Sequence, residues 1–260
     1  MFEAVTYEKK NQIAVLTMNR PEAMNVVNGV MRKELKRLFL DFRDDTDARV
    51  LIITGSGEKA FSTGADLKEM AAHTSGEASA DKNISEEMST VMSLNYGITK
   101  PIIAAINGLA IGGGLEIALG CDLRIASDNA RMGFFEPKRG IMPSAGGVVR
   151  LPRMVPLAVA MEILLIGDLI SSQEAYRVGL VNRVVPSSQL MNTAQQMAEK
   201  LVECAPLALK SIKQTVFNTL DMSLNEALRG NFGSELFATD DVKEGTAAFI
   251  ERRKPVWKGR

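Results

Sequence analysis

Three consecutive glycines stand directly before an acidic residue near the middle of the chain. Gly112 to Gly114 follow a short apolar run and lead, through Leu115, into Glu116. Glycine permits positive φ and carries no side chain, so a ligand can approach the backbone closely. At a helix N-terminus the N–H groups are unpaired and suit an oxygen that gains negative charge. Glu116 is then either a structural carboxylate of the first helical turn or an acid/base beside such an oxyanion site.

A second glycine turn has the same layout earlier in the chain. Gly64 follows the buried strand predicted over 50–54 and leads into a helical segment that starts near Ala65. A simple turn explains each motif on its own, but two such turns favour a site built from paired backbone amides. Neither turn is a nucleotide motif, because 112–116 lacks the G-x-G-x-x-G spacing and no Lys-Ser/Thr pair follows its glycines.

Carboxylates are the candidate acid/base groups of this chain. Glu136 stands 20 residues after Glu116, where the next predicted strand ends. His73 is the only histidine and lies in a polar segment of small residues, which argues against a Ser-His-Asp or Cys-His mechanism. Cys121 and Cys204 are distant in sequence and lie in apolar settings, so we expect reduced core residues without metal spacing.

Composition narrows the class of protein. The 260 residues are 46% apolar and 24% charged, which is ordinary for a globular chain. The formal net charge of zero gives no sign of a nucleic-acid or anionic-membrane partner. No apolar segment approaches the roughly 18 residues of a membrane span, and the first residues lack the layout of a secretory signal. We therefore expect a cytoplasmic location.

Periodicity predicts an α/β body followed by a helical tail. We place a catalytic region at 1–188 and a helical region at 189–260, and we expect a loop over 71–83 that covers a pocket. The predicted strands are 5–7, 13–18, 50–54, 102–106, 123–126, 131–135 and 181–185, and the predicted helices are 28–42, 84–98, 157–166, 171–177, 189–203, 206–220, 223–229 and 240–252.

Three longer segments carry the most specific motifs of the chain. They are Ala60–Lys68, Pro101–Glu116 and Phe135–Gly147, and shorter motifs lie at 19–21, 175–181 and 244–254. Together these motifs resemble those of the enoyl-CoA hydratase/isomerase (crotonase) superfamily, and the resemblance covers essentially the whole chain. It implies an α/β fold of the crotonase type, a superhelical ββα spiral whose C-terminal helices build trimers, often paired into hexamers.

The resemblance also implies a role for each residue that falls on a family motif. The N–H groups of Ala65 and Gly113 form the oxyanion hole for the carbonyl of a coenzyme A (CoA) thioester, and Glu116 and Glu136 are the two catalytic glutamates. The residues that bind CoA or substrate are Ala23, Asp66, Leu67, Lys68 and Gly112. No metal and no separate cofactor are implied, because CoA is part of the substrate.

These roles imply an enoyl-CoA hydratase, a lyase of fatty acid metabolism that reversibly converts 2-enoyl-CoA to 3-hydroxyacyl-CoA. The presence of both glutamates favours hydration, since members that isomerise, cleave or decarboxylate often lack one of the pair. The chain departs from the usual hydratase pattern at one point. Phe135 precedes Glu136 and Pro137 follows it, whereas the common form has a proline before this glutamate.

Two other classes of function stay open. One is Δ3,Δ2-enoyl-CoA isomerase, decarboxylase or carnitinyl-CoA dehydratase-like activity, and the tail 254–260 is similar to that of the dehydratase-like members. The other is a non-catalytic relative that binds CoA thioesters or RNA, against which the lack of a basic excess counts. We expect an acyl-CoA as the small-molecule partner, no nucleic acid or membrane, and a homotrimer or a hexamer.

Overall fold

The computed structural model describes residues 2–66, 69, 82–94 and 96–260 of the chain. An antiparallel hairpin opens the fold, with β1 at Val5–Lys10 and β2 at Ile13–Met18. Its turn consists of Asn11 and Gln12 alone, and both have positive φ. The strand predicted over 5–7 therefore continues to Lys10. β1 is an edge strand, so its exposed residues Glu8 to Lys10 can be polar and still pair with β2.

The larger sheet has six strands. Beyond the hairpin it contains β3 (Val50–Gly55), β5 (Ile102–Ile106), β7 (Leu123–Ser127) and β10 (Arg183–Val185). The strand order is β1-β2-β3-β5-β7-β10, and every pair after the hairpin is parallel. Parallel strands need crossover connections, and the helices and the second sheet supply them.

The smaller sheet has four strands. They are β4 (Ala60–Ser62), β6 (Leu109–Ile111), β8 (Arg131–Gly133) and β9 (Ile170–Ser171), in the order β4-β6-β8-β9. The first three are parallel and β9 is antiparallel to β8. The consecutive pairs β3–β4, β5–β6 and β7–β8 each place one strand in each sheet, so the chain winds as a spiral. The predicted ββα superhelical architecture is confirmed.

Ten helices belong to the described part of the chain. They are α1 (Gly29–Asp44), α2 (Lys82–Ser93), α3 (Gly113–Gly120), α4 (Gly147–Met154), α5 (Leu157–Ile166), α6 (Ser172–Arg177), α7 (Leu190–Val202), α8 (Pro206–Thr219), α9 (Leu224–Arg229) and α10 (Asp240–Glu251). Single 3-10 turns lie at Pro21–Ala23, Glu136–Arg139, Ser187–Gln189 and Ser234–Ala238. The four helices predicted after residue 188 agree closely with α7 to α10.

The six-stranded sheet is buried on both faces. Side chains alternate along a strand, so Leu51 and Ile53 of β3 join the main core while Val50 and Ile52 point to the opposite face. On that opposite face the sheet packs against the apolar residues of α7, which are Leu190, Ala194 and Ala198. Burial on both faces explains why the inner strands are continuous apolar runs rather than alternating patterns.

The sequence of α1 explains both where the helix starts and how it packs. The side chain of Asn28 accepts a hydrogen bond from the Met31 N–H at 3.0 Å, which caps the N-terminus. Met31, Leu35 and Phe42 recur at helical spacing and are completely buried. α1 therefore lies firmly against the main core, where it contacts α2.

Two predicted elements end earlier than the sequence suggested. The helix predicted over 84–98 stops at Ser93, because Leu94 takes a positive φ of 52° and the chain turns there. The strand predicted over 131–135 stops at Gly133, and Glu136 begins a 3-10 turn instead of ending a strand. Glu136 is therefore held by a turn after the sheet, which changes how its side chain is aimed.

The two cysteines differ in their surroundings. Cys121 is buried as predicted, but Cys204 is exposed and not a core residue, since it lies just beyond the end of α7. His73 and most of the predicted loop 71–83 fall outside the described residues. In the part of the chain that is described, none of the helices combines the length and apolar character needed to cross a bilayer.

Apolar side chains remain exposed on the helices of the single chain. On α8, Ile212, Val216 and Leu220 are spaced by four residues and are 60%, 52% and 56% exposed. Residues four apart lie on one face of a helix, so these three form a continuous apolar stripe. We call it the α8 stripe.

Candidate active site

The first glycine turn connects β6 to α3. Gly112 has φ +57° and ψ −125°, and its carbonyl accepts the first hydrogen bond of the helix from the Glu116 N–H at 2.9 Å. Gly113 is the first residue of α3, so its N–H is among the donors that have no partner within the helix. A methyl group on Gly113 would lie 2.1 Å from Met92 Sδ, so any larger residue there would displace the Met92 thioether.

The second glycine turn lies directly against the first. Gly64 has φ +83°, and a methyl group built on it would lie 2.8 Å from the Gly113 nitrogen. A β-bridge pairs Val27 with Ala65. Its two hydrogen bonds use the residues on either side of Ala65, because the Val27 N–H donates to the Gly64 carbonyl and the Asp66 N–H donates to the Val27 carbonyl. That bridge does not use the Ala65 N–H. The fold thus brings the two predicted amide turns into contact and leaves both N–H groups outside the backbone pairing.

Glu116 lies inside the protein, in the first turn of α3. Its side chain is 3% exposed, and its Oε1 accepts hydrogen bonds from the N–H groups of Ala145 at 2.7 Å and Gly147 at 2.9 Å. These donors belong to the turn that opens α4. The sequence showed that turn as a glycine-rich helix start, but it gave no sign that its amides hold a catalytic carboxylate. Two N–H donors to one oxygen stabilise the ionised form of a carboxylate.

Glu136 approaches the same region from the 3-10 turn after β8. A methyl group on Gly112 would lie 2.6 Å from Glu136 Oε1, so this carboxyl rests on the glycine turn. Its Oε2 is buried and has no hydrogen-bond partner in the part of the chain that the structure describes. The displaced proline does not turn Glu136 away, because Pro137 occupies the start of the 3-10 turn and Phe135 packs beside the turn's own Lys138 and Arg139.

The electrostatics of the two glutamates are linked. Burial raises the pKa of Glu116, the charge of Glu136 raises it further, and the Gly147 and Ala145 N–H groups and the charge of Arg150 oppose these effects. Burial also raises the pKa of Glu136, while the backbone N–H groups of Glu136 and Phe135 and the charge of Arg139 lower it. Two nearby carboxyls with different donors can hold one proton between them, which suits an acid and a base that act together.

Helix α2 forms a wall of this site beside Gly113. Met92 is 4% exposed and its thioether packs against Gly113. At the other side of the helix, Glu87 pairs with the buried Arg32 of α1 at 3.0 Å, which fixes α2 on the body. The hydroxyl of Ser89 donates to the carbonyl of Ser144 at 3.3 Å and links α2 to the turn that holds Glu116.

The predicted CoA-binding residues fall into two groups. Ala23 lies half-buried in its 3-10 turn, and Arg20, just before that turn, is 3.7 Å from the carboxylate of Asp66. Ala23 and Asp66 therefore border one region, next to Ala65. Leu67 and Lys68 fall outside the described residues. Within those residues, no cluster of three or more His, Cys, Asp or Glu side chains is placed to hold a metal ion.

Comparison with known proteins connects this geometry to a family. Residues 8–260 match the family model described as enoyl-CoA hydratase/isomerase. The chain is 41% identical to a carnitinyl-CoA dehydratase of Escherichia coli strain SMS-3-5, with 100% of both chains covered. It is 40% identical to a short-chain-enoyl-CoA hydratase of Clostridium acetobutylicum, covering 96% of this chain and 95% of the relative. Among solved structures, an enoyl-CoA hydratase from Bacillus anthracis is similar with a TM-score of 0.93 and 35% identity, covering 99% of this chain and 100% of the other.

Proposed function

The chain belongs to the enoyl-CoA hydratase/isomerase family, and on that premise we propose that it catalyses the reversible hydration of 2-enoyl-CoA thioesters to 3-hydroxyacyl-CoA. The observation that carries the proposal is the meeting of the buried Glu116 and the half-buried Glu136 at the glycine turns. Glu116 is held by backbone amides and Glu136 rests on Gly112. The relative from Clostridium acetobutylicum, which is named a short-chain-enoyl-CoA hydratase, supports the same reaction.

The thioester carbonyl binds between the two amide turns in this proposal. The Ala65 and Gly113 N–H groups donate to the carbonyl oxygen and stabilise the enolate-like charge that develops on it. Removing one such donor from an oxyanion hole typically costs about 100-fold to 1,000-fold in rate. The contact between Gly64 and Gly113 supports a shared acceptor, since it holds the two turns side by side.

The two carboxyls take different roles. We assign Glu116 as the base, because the Ala145 and Gly147 N–H groups favour its ionised form. We assign Glu136 as the acid, because burial raises its pKa and its Oε2 accepts no hydrogen bond from the described residues. Glu116 removes a proton from water as the oxygen bonds to the β-carbon, and Glu136 gives its proton to the α-carbon. Exchange with solvent then restores both carboxyls.

The CoA moiety is assigned to the region that borders the oxyanion hole. Ala23, Asp66 and Gly112 contribute to it, together with Leu67 and Lys68, on the basis of the family motif. CoA enters as part of the substrate, and the reaction as proposed involves no metal and no redox cofactor, since proton transfer and two amide donors supply its chemistry.

A dehydratase role is the second candidate for the same site. The identity of 41% over the full length of a carnitinyl-CoA dehydratase favours it. Dehydration of a 3-hydroxyacyl-CoA is the reverse of hydration and uses the same two carboxyls with their roles exchanged. Isomerase and decarboxylase activities need the oxyanion hole but not a water held between two carboxyls, so the paired glutamates favour them less.

Assembly into a homotrimer or a hexamer is part of the proposal. The α8 stripe leaves three large apolar side chains in water in the single chain. Exposed apolar patches of this kind are characteristic of protein–protein contacts, and a second copy would cover it. A cytoplasmic setting in fatty acid metabolism fits these substrates.

A substrate series tests the proposal most directly. Purified protein is offered trans-2-enoyl-CoA esters of increasing chain length, and hydration is followed as the loss of absorbance of the conjugated enoyl thioester. We expect turnover with at least one ester. Parallel reactions with 3-enoyl-CoA and with malonyl-type thioesters report a double-bond shift or release of CO2. Absence of hydration together with turnover in either parallel reaction would replace the proposed activity.

A further inference from the structure

Arg150 is a half-buried cation next to the candidate active site that the proposed mechanism has not used. It lies on α4, and its Nη1 is buried without a hydrogen-bond partner among the described residues. A guanidinium is always charged and carries five N–H donors, so a buried Nη1 without an acceptor is costly. The free-energy cost of burying this donor must therefore be offset by another interaction of Arg150.

A second buried arginine shows what a purely structural role looks like in this fold. Arg124 is 8% exposed, and its guanidinium donates to the backbone carbonyls of Leu180, Ala118 and Cys121. Its positive charge is thus surrounded by acceptors. Arg150 lacks this full set although it lies nearby in the same core, so packing alone does not account for it.

The position of Arg150 connects it to Glu116. A methyl group on Gly146 would lie 2.9 Å from Arg150 Nη1 and 3.6 Å from its Cζ, so the guanidinium packs on this glycine. Gly146 stands between Ala145 and Gly147, whose N–H groups donate to Glu116 Oε1. Arg150 and Glu116 therefore lie on two sides of one short turn, without a direct ion pair between them.

Few other charges face these two groups. Glu116 interacts with Glu136 and Arg150, and Arg150 interacts with Glu116 and the Cys121 thiol. Cys121 is neutral near physiological pH, because burial raises its pKa to about 12. Glu136 interacts instead with Arg139. Among the described residues, Arg150 is therefore the cation that acts on Glu116, while Arg139 acts on Glu136.

We propose that Arg150 is a positioning residue that packs against the 145–147 turn and holds Glu116 as the ionised member of the glutamate pair. Its charge reaches Glu116 across the turn, and its side chain keeps the two N–H donors aimed at Oε1. The inference rests on the proposed hydratase function. It explains why Arg150 keeps a buried, unused Nη1 donor beside the base of the reaction.

The test compares the pH profile of kcat/KM for hydration in three variants. R150M removes the charge at similar side-chain length, R150K keeps a charge, and R153M removes the same residue type one turn further along α4, where Arg153 is exposed. In R150M we expect the acid limb to move to higher pH by about half a unit or more, which is about a threefold change in the ionisation constant. R150K and R153M should keep the limb near the wild-type position.

Each other outcome decides against the inference. An unmoved acid limb in folded R150M shows that the charge has no effect on the base. An equal shift in R150M and R150K shows that packing, and not charge, is responsible. If R150M does not fold, R150Q replaces it, and failure of both neutral variants to fold assigns Arg150 to stability alone. A wild-type protein without hydration activity would instead remove the proposed function, so the two failures are distinguishable.

Discussion

The carboxyl group of Glu136 lies against the backbone of Gly112, so closely that a methyl group on this glycine would come within 2.6 Å of Oε1. The glycine turn therefore has two tasks. It starts the helix that carries Glu116, and it makes room for the second glutamate beside it. The two acidic residues depend on the absence of one side chain.

G112A should sharply reduce hydration while the protein stays folded. The added methyl displaces Glu136, and displacing a catalytic group by about 1 Å can cost about 100-fold in rate. G179A is the matched control, since Gly179 also has a positive φ but a methyl there meets nothing within 4 Å. Steady-state hydration rates and thermal unfolding of both variants make the comparison. Equal activity in the two variants would contradict the placement of Glu136.

E116Q and E136Q should each reduce hydration by about 100-fold to 10,000-fold, the usual contribution of general acid–base catalysis. Glutamine keeps the shape of the side chain but cannot exchange a proton. E162Q, at an exposed position of α5, is the control and should behave as the wild type. Single-turnover assays on crotonyl-CoA measure the chemical step. Near-normal turnover in either site variant would exclude the paired roles.

The rate of hydration should fall at acidic pH with a midpoint above the ordinary glutamate pKa of about 4.3. Burial raises the pKa of Glu116, so the base becomes protonated, and inactive, before an exposed glutamate would. Burial also raises the pKa of Glu136, so the acid keeps its proton to higher pH and the alkaline limb is likewise displaced upward. A profile of kcat/KM against pH measures the two limbs. An acid limb at or below the ordinary value would show that Glu116 is not the buried base.

The double variant I212E/V216E should break the proposed assembly. Two carboxylates in the α8 stripe would have to lose their hydration in an interface, which is strongly unfavourable. Q214E adds a charge to an exposed position of the same helix outside the stripe and should leave the assembly intact. Light scattering coupled to gel filtration gives the molar masses. A wild type that is already monomeric, or a double variant with unchanged mass, would refute the role of the stripe.

The α/β body, its helical tail and the glycine turns could be predicted from the sequence because they depend on local patterns. Apolar runs such as Ile102–Ile106 mark buried strands, and glycines before a helix mark exposed amides. The contact between Gly64 and Gly113 depends on the pairing of β4 with β6. Sequence patterns make such a pairing plausible but do not determine it, so the resemblance to the family supplied this step.

Long-range contacts explain what could not be predicted. The partners of Glu116 lie about thirty positions further along the chain, at Ala145 and Gly147, and nothing in those residue types indicates a bond to a carboxylate. The unpaired donor of Arg150 is likewise visible only once the core is assembled. Cys204 was misjudged because several of its neighbours in sequence are apolar, whereas it lies beyond the end of α7 at Val202 and is exposed.

The two backbone donors to Glu116 also bear on the chirality of the product. An oxygen has two lone pairs available for hydrogen bonds, and the Ala145 and Gly147 N–H groups occupy both on Oε1. Only Oε2 is left to receive a proton from water, and the rigid turn fixes the direction in which it points. A nucleophile delivered from one fixed direction reaches only one side of a planar double bond. The enzyme should therefore form a single mirror-image form of the 3-hydroxyacyl product.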